Sequence, residues 1–175
     1  CHLALSDINQ TGLKDTLELL RNYTINITSQ TLDVADQEAM QQWALKVAAD
    51  HGKVNLIFNN AGVALISTIR EMRTQDLKWL MDINFWGVVH GTKAFLPLLE
   101  QTDEGHIINL SSIFGLFSTP TQGAYNASKF AVRGFTECLA QELAIEGSSV
   151  KVSCVHPGGI QTNIARNGRL GGVAG

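Results

Sequence analysis

A short buried strand followed by a long amphipathic helix, within residues 107–145, constrains the fold more than any other stretch of the chain. The run I-I-N-L-S-S at 107–112 is typical of a parallel strand covered on both faces, and it ends in two hydroxyl side chains. The stretch 124–145 has the apolar periodicity of a helix. Tyr125 and Lys129 are four residues apart near the start of that helix, so they lie on one face.

The pairing of a phenol with an ammonium predicts acid-base chemistry. A charge on Lys129 favours the phenolate of Tyr125, so we expect the phenol's pKa to fall from about 10 toward neutrality. A Tyr with such a pKa serves as a general acid or base. Ser112, at the carboxyl end of the preceding strand, is placed to hold a substrate oxygen beside that phenol. Tyr and Lys at this spacing are common by chance on helices, so the prediction depends on the surrounding strand and helix.

The rest of the chain repeats the alternation of strand and helix. This alternation predicts one α/β domain over residues 1–175, with a doubly wound parallel sheet. Ligands of such sheets bind beyond the carboxyl ends of the strands, where Asp7, Asn59 to Gly62, Ser112 and Pro157-Gly158 are all expected. The predicted strands are 2–6, 24–32, 54–58, 107–112 and 150–155, and the predicted helices are 10–22, 36–50, 74–100 and 124–145.

Together these motifs resemble the short-chain dehydrogenase/reductase family. The similarity covers Ser112 with Y-N-A-S-K, N-N-A-G at 59–62, D-I-N-F-W-G at 82–87 and P-G-x-x-x-T at 157–162. It implies a Rossmann-like oxidoreductase that moves a hydride between NAD(H) and a secondary alcohol or ketone. The implied catalytic residues are Asn84, Ser112, Tyr125 and Lys129, and the implied cofactor contacts are Asp7, Asp33, Val34, Asn60, Ala61, Gly62, Tyr125, Lys129, Pro157, Gly158 and Thr162.

The resemblance also implies individual roles. Asp7, at the end of the first strand in the sequence, would accept hydrogen bonds from the adenosine ribose and repel a 2′-phosphate, which predicts NAD(H) rather than NADP(H). Asp33-Val34 would lie against the adenine. Asn84 would hold a water against Lys129 in a proton relay, and Lys129 would also bind the nicotinamide ribose. Pro157, Gly158 and Thr162 would hold the nicotinamide carboxamide.

Each of these residues also has a purely structural interpretation. Asp7 could N-cap the following helix, Asp33 could simply end a strand, and the N-N-A-G segment could be a plain turn. Asn84, on the apolar stripe of a predicted helix, could be satisfied by backbone groups. His156 precedes Pro157 and could act as a base, but a structural role is the stronger interpretation.

The chain departs from the family pattern at its beginning. Members open with a strand and a glycine-rich turn that holds the pyrophosphate, and this sequence starts at the strand before Asp7. We therefore expect a strand, turn and helix before Cys1, and a substrate-covering segment with a last strand after Gly175. Without the central strand, the strands at 2–6 and 24–32 should have no hydrogen-bonded neighbour joining them to 54–58. A non-catalytic interaction or regulatory module remains the second hypothesis.

Composition excludes several other classes of protein. A net charge of −3 and the absence of a basic run argue against nucleic-acid binding, and no apolar stretch is long enough to span a membrane. Three cysteines lack metal-ligand spacing, so no metal site is predicted, and they suit reduced thiols in a cytoplasmic protein.

The two longest predicted helices carry apolar residues on more than one side, which predicts a homodimer or homotetramer paired through them. One helix face covers the sheet, and the remaining apolar side chains should be exposed in a monomer. These side chains are Trp79, Phe85 and Trp86 on the first helix and Phe130 and Val132 on the second.

Overall fold

The computed structural model describes residues 1–164 and 166–171. Strands and helices alternate through most of this length, as the sequence predicts. In chain order the elements are β1 (Leu3–Asp7), α1 (Gln10–Leu20), β2 (Ile27–Thr31), α2 (Gln37–His51), β3 (Leu56–Asn59), β4 (Leu65–Ile66), α3 (Thr74–Met81), a π-helical turn (Asp82–Trp86), α4 (Gly87–Leu99), β5 (His106–Leu110), a 3₁₀ turn (Ile113–Gly115), α5 (Gly123–Ile145), β6 (Lys151–Val155) and β7 (Arg169–Leu170).

The parallel strands form separate sheets. β1 pairs with β2, while β3, β5 and β6 form a three-stranded parallel sheet in the order β3-β5-β6. Among the described residues, no strand is hydrogen-bonded to both β1 and β3. The predicted α/β class and the predicted break between these strands are both confirmed. Leu56 and Phe58, which share one face of β3, are 46% and 59% exposed.

One main hydrophobic core lies between the strands and helices α2, α4 and α5. Its centre includes Phe95 and Ile107, both almost fully buried, and the ring of Trp43 meets Phe95 edge to face at 5.2 Å. The ends of α2 follow from local chemistry: the Asp36 side chain accepts from the Ala39 N–H, and Gly52 ends the helix with φ of 76°. Because β3, β5 and β6 run parallel, their carboxyl ends lie together at one edge of the sheet, above this core.

Two details of local structure differ from the predictions. The helix expected over 74–100 is present as one helical run, but residues 82–86 in its middle are π-helical rather than α-helical. The polar and glycine-rich sequence from 165 to 175 predicts a loop or tail, but this segment contains β7, which pairs with β4. β4 and β7 are each two residues long, which is too short for the alternation of apolar and polar residues that would predict a strand. Of that segment, Ala165 and residues 172–175 lie outside the described residues.

The predicted second apolar faces are present only in part. Trp86 and Phe130 are 48% and 41% exposed, as expected. Val132 is fully buried instead, because α5 turns that side toward the sheet. Trp79 is covered by the Arg169 guanidinium, which stacks 3.5 Å from the ring centroid.

No helix within the described residues has both the length and the hydropathy needed to cross a membrane.

Candidate active site and cofactor cleft

Ser112 lies just beyond the end of β5, with its backbone and its hydroxyl both fixed. Its backbone is extended, and its Oγ caps the 3₁₀ turn by accepting from the Phe114 N–H at 3.1 Å. The side chain is buried, with 8% of the residue exposed. Because the oxygen accepts from the turn, the hydroxyl proton is available to donate to a ligand.

Tyr125 and Lys129 lie in the first turns of α5, and the helix holds them on one face as the spacing predicts. The Lys129 Nζ is 5.6 Å from the centroid of the Tyr125 ring and donates to the Leu110 carbonyl at 2.8 Å. Lys129 is 3% exposed, while Tyr125 is partly buried beside Phe114. An otherwise costly buried ammonium is therefore anchored at the end of β5, within reach of the phenol.

The expected fall in the pKa of the phenol is not found. Burial raises the pKa of Tyr125 above its ordinary value, and hydrogen bonding with Ser112 opposes this rise only in part. Burial also lowers the pKa of Lys129 from 10.5 to about 8, with the half-buried Cys154 acting in the opposite direction. Desolvation destabilises the charged forms of both groups, so in this state the phenol is protonated at neutral pH.

Asn84 lies in the π-helical turn and is fully buried. Its Oδ1 accepts from the Val63 N–H at 2.8 Å, and its Nδ2 donates to the Val63 carbonyl at 3.0 Å and to the Ser128 Oγ at 3.2 Å. The side chain thus joins the loop after β3 to α5, as the structural interpretation requires. π-turns of this kind often occur at functional sites.

The N-N-A-G turn brings this loop close to the catalytic candidates. A Cβ placed on Gly62 would lie 3.4 Å from the Asn84 Oδ1 and 3.7 Å from the Lys129 Nζ. The small residue therefore lets the backbone of the turn approach both groups. Asn84, Lys129 and Gly62, predicted from three separate segments, meet in the structure.

A cleft of about 230 Å³ begins at this turn and runs past the ends of β1, β2 and β3. Its walls combine small, apolar and acidic residues, which is the composition expected for a nucleotide bound along the sheet edge. Six predicted cofactor contacts line the cleft, namely Asp7, Asp33, Val34, Asn60, Ala61 and Gly62.

Asp7 is the last residue of β1, and its carboxylate is exposed at the cleft. Its Oδ1 accepts from the Asn9 N–H at 2.8 Å. It does not N-cap α1, because the Asn9 side chain does so by accepting from the Gly12 N–H. The carboxylate therefore remains able to accept from the hydroxyls of a ligand, which is the chemistry that a nucleotide ribose requires.

Asp33 and Val34 follow β2 and take part in local contacts. The Asp33 Oδ1 accepts from the Ala35 N–H at 2.9 Å, as expected of a residue that ends a strand. Val34 packs so closely on α4 that a Cβ on Gly87 would lie 2.7 Å from its Cγ2. These contacts fix the floor of the cleft and leave both residues along its lining.

Pro157, Gly158 and Thr162 lie beyond β6 and do not line the cleft. The Pro157 carbonyl accepts from the Ile113 N–H at 3.0 Å, so this segment is adjacent to Ser112. Thr162 is exposed, and its Oγ1 accepts from the Ile164 N–H at 3.4 Å. The structure thus brings Pro157 to the catalytic candidates and leaves Thr162 at the surface.

A buried polar chain lies behind the site; the sequence predicts that the Asn side chains of the N-N-A-G segment tie neighbouring strands together, but it does not predict that this chain continues to α5. The Asn59 Nδ2 donates to the Asn109 Oδ1 at 2.8 Å, and the Asn109 Nδ2 donates to the Thr136 Oγ1 at 3.0 Å. This chain of hydrogen bonds ties β3, β5 and α5 together. Two Asn residues within otherwise apolar strands were the available signal, because buried amides need partners.

Comparisons with known proteins agree with this geometry. A family model described as short chain dehydrogenase matches residues 1–170. SadH of Mycobacterium tuberculosis, which is named as an oxidoreductase, is 49% identical over 165 residues, covering 94% of this chain and 60% of SadH.

Two solved structures share the fold. A short chain dehydrogenase/reductase from Burkholderia phymatum, in complex with NAD, has a TM-score of 0.91 at 35% identity, covering 95% of this chain and 59% of that one. An alcohol dehydrogenase from Thermococcus sibiricus, complexed with 5-hydroxy-NADP, has a TM-score of 0.84 at 25% identity, covering 95% of this chain and 69% of that one. The chain thus spans about 60% of SadH and of the Burkholderia protein, and it belongs to the short-chain dehydrogenase family.

Proposed function

We propose that the native protein is an oxidoreductase that transfers a hydride between NAD(H) and a secondary alcohol or ketone. The observation that carries this proposal is the convergence of the Tyr125 phenol, the Ser112 hydroxyl and the buried Lys129 ammonium beside a cleft with an exposed carboxylate. Acid-base catalysis and nucleotide binding both have their chemical groups at this one edge of the sheet.

The cleft is proposed to hold the adenosine half of the cofactor. Asp7 would accept hydrogen bonds from the ribose hydroxyls, and Val34 and Ala61 would line the walls. Support comes from the similar Burkholderia protein, whose structure contains NAD. A 2′-phosphate would lie against the Asp7 carboxylate, and two negative charges at that separation repel each other, so NAD(H) is proposed over NADP(H). The bound nicotinamide would supply or accept the hydride.

The proton chemistry is assigned to residues of this chain. In the direction of reduction, the Ser112 hydroxyl would donate a hydrogen bond to the ketone oxygen, and Tyr125 would transfer its proton to that oxygen. The protonated phenol favoured by burial suits this direction. The Lys129 charge would stabilise the resulting phenolate and contact the nicotinamide ribose. Asn84 would position a water that returns a proton toward Lys129.

The proposal also covers the type of substrate, the location in the cell and the oligomeric state. The substrate would be a small molecule, and the protein would act in the cytoplasm as a homodimer or homotetramer. The exposed Trp86 and Phe130 on the two longest helical segments support pairing through those helices.

The experiment replaces Tyr125 by Phe in the full-length native protein, with Tyr23→Phe as the matched control. Tyr23 is 64% exposed and lies outside the cleft. Reduction of acetophenone, cyclohexanone and ethyl acetoacetate is followed by the loss of NADH, and NADH binding is measured by fluorescence. We expect Tyr125→Phe to lower kcat by about 10²-fold or more and to leave NADH affinity nearly unchanged.

Tyr23→Phe should keep both properties. Retention of more than about a tenth of the wild-type kcat by Tyr125→Phe would remove the phenol from its assigned role. A wild-type protein that neither binds NADH nor reduces these ketones would favour the non-catalytic module instead.

A further inference from the structure

The imidazole of His156 contacts the backbone of Ser112 across the end of the sheet. His156 is the first residue after β6, and its Nδ1 lies 3.0 Å from the Ser112 carbonyl oxygen. A carbonyl oxygen only accepts, so this contact is a hydrogen bond when Nδ1 carries the proton. His156 is partly buried and does not line the cofactor cleft.

The Ser112 carbonyl also accepts from the Gly115 N–H at 2.8 Å within the 3₁₀ turn, and the His156 side chain adds the contact that links this carbonyl to the end of β6. The Ser111 N–H donates to the Val155 carbonyl at 2.8 Å, and the Ile113 N–H donates to the Pro157 carbonyl at 3.0 Å. In a parallel ladder the next bond from β6 would run from the N–H of residue 157 to the Ser111 carbonyl, but a proline has no N–H. The side chain of His156 therefore adds a hydrogen bond between the end of β6 and the Ser112 segment, next to the place where Pro157 leaves one main-chain bond unmade.

Ser112 depends on this region for its orientation. Its Oγ is held from the other side by the Phe114 N–H. A peptide plane that rotates at the Ser112 carbonyl moves the start of the 3₁₀ turn, and the donor that fixes the Oγ moves with it. Catalytic groups misplaced by a fraction of an ångström lose rate even when they remain present.

We propose that His156 is a positioning residue, whose Nδ1–H holds the Ser112 backbone so that the Ser112 hydroxyl meets the substrate oxygen. This inference rests on the proposed function for the role of Ser112. It assigns His156 no proton transfer.

The first test does not depend on activity. Nitrogen NMR of the imidazole in the full-length native protein, at a pH where the ring is neutral, identifies which nitrogen carries the proton. The inference requires the Nδ1–H tautomer of His156. A ring protonated only at Nε2 could not donate to the carbonyl and would overturn the inference.

The second test uses two substitutions of His156 in the full-length native protein. His156→Asn keeps an N–H donor at nearly the position of Nδ1, whereas His156→Leu removes it. We expect His156→Leu to lower kcat about tenfold, the factor that corresponds to one hydrogen bond, with NADH affinity and folding nearly unchanged. His156→Asn should recover most of that loss. If His156→Asn is as damaging as His156→Leu, the donor is not the reason and the inference fails.

A double-mutant cycle with Ser112→Ala separates positioning from general destabilisation. If His156 acts through the Ser112 hydroxyl, His156→Leu should cost almost nothing in kcat once that hydroxyl is absent. An undiminished tenfold loss in the Ser112→Ala background would contradict the inference. If Ser112→Ala alone retains full activity, the proposed catalytic role of Ser112 fails instead, and the tautomer measurement still tests the contact.

Discussion

Replacing Gly115 by Ala should damage stability and the proposed catalysis together, because the added methyl group meets the backbone of α5 at Lys129. A Cβ at this position would lie 2.3 Å from the Ser111 Oγ and 2.8 Å from the Lys129 carbonyl oxygen. The Ser111 Oγ donates to that same carbonyl at 2.9 Å. Side chains can rotate away from a methyl group, but a carbonyl in the middle of a helix cannot.

The magnitude follows from these contacts. Overpacking a well-packed site costs about 1–3 kcal/mol, and loss of the hydrogen bond from Ser111 adds about 1 kcal/mol. We therefore expect Gly115→Ala to lower the free energy of unfolding by roughly 2–4 kcal/mol. The methyl group also separates the turn after Ser112 from Lys129, so kcat should fall by about 10²-fold in molecules that remain folded.

Gly134→Ala is the matched control, since the same substitution is made in an exposed part of α5. Among the described residues, no atom beyond the chain neighbours and the surrounding helix backbone lies within 4 Å of the Cβ position of Gly134. Alanine is the better helix former, so this variant should be more stable by about 0.5–1 kcal/mol. Urea unfolding of the full-length native protein and ketone reduction at saturating NADH measure both effects. A Gly115→Ala protein within about 0.5 kcal/mol of wild type, with its kcat retained, would refute the packing argument.

Three further outcomes are expected of the full-length native protein. Titration with NADH and NADPH should show tighter binding of NADH, and Asp7→Ala should reduce the difference between the two affinities. Equal affinities in the wild type would rule out the proposed role of this carboxylate. Burial depresses the pKa of Lys129 to about 8 from an unfolded value near 10.5, so the unfolded chain binds more protons between these values. The free energy of unfolding of the wild type, minus that of Lys129→Met, should therefore rise as the pH rises through this range. If urea unfolding shows that this difference does not change with pH, Lys129 is not a buried ammonium. Light scattering should show a homodimer or homotetramer, and the double variant Trp86→Glu, Phe130→Glu should be a monomer. A wild-type monomer at micromolar concentration would exclude pairing through the helix faces that carry Trp86 and Phe130.

The sequence alone determined the class of fold and several of the residues that meet at the site. The 3.6-residue period of a helix places Tyr125 and Lys129 on one face wherever that helix packs. Parallel strands bring their carboxyl ends to one edge of the sheet, so the sequence is enough to place Ser112 and the N-N-A-G turn at that edge. The separation of β1 from β3 among the described residues also agrees with the sequence, since none of the strands predicted within residues 1–175 would lie between them.

The tertiary structure decided how the site is arranged and charged. The π-helical turn holds Asn84 against Val63, 21 residues earlier in the chain, and no local pattern specifies that contact. The direction of the pKa shift at Tyr125 depends on how much water the packed neighbours remove, and here burial raises that pKa more than the hydrogen bond with Ser112 lowers it. The bond from His156 to Ser112 spans 44 residues. Periodicity is a property of neighbours along the chain, whereas burial and long-range hydrogen bonds exist only after distant segments have packed together.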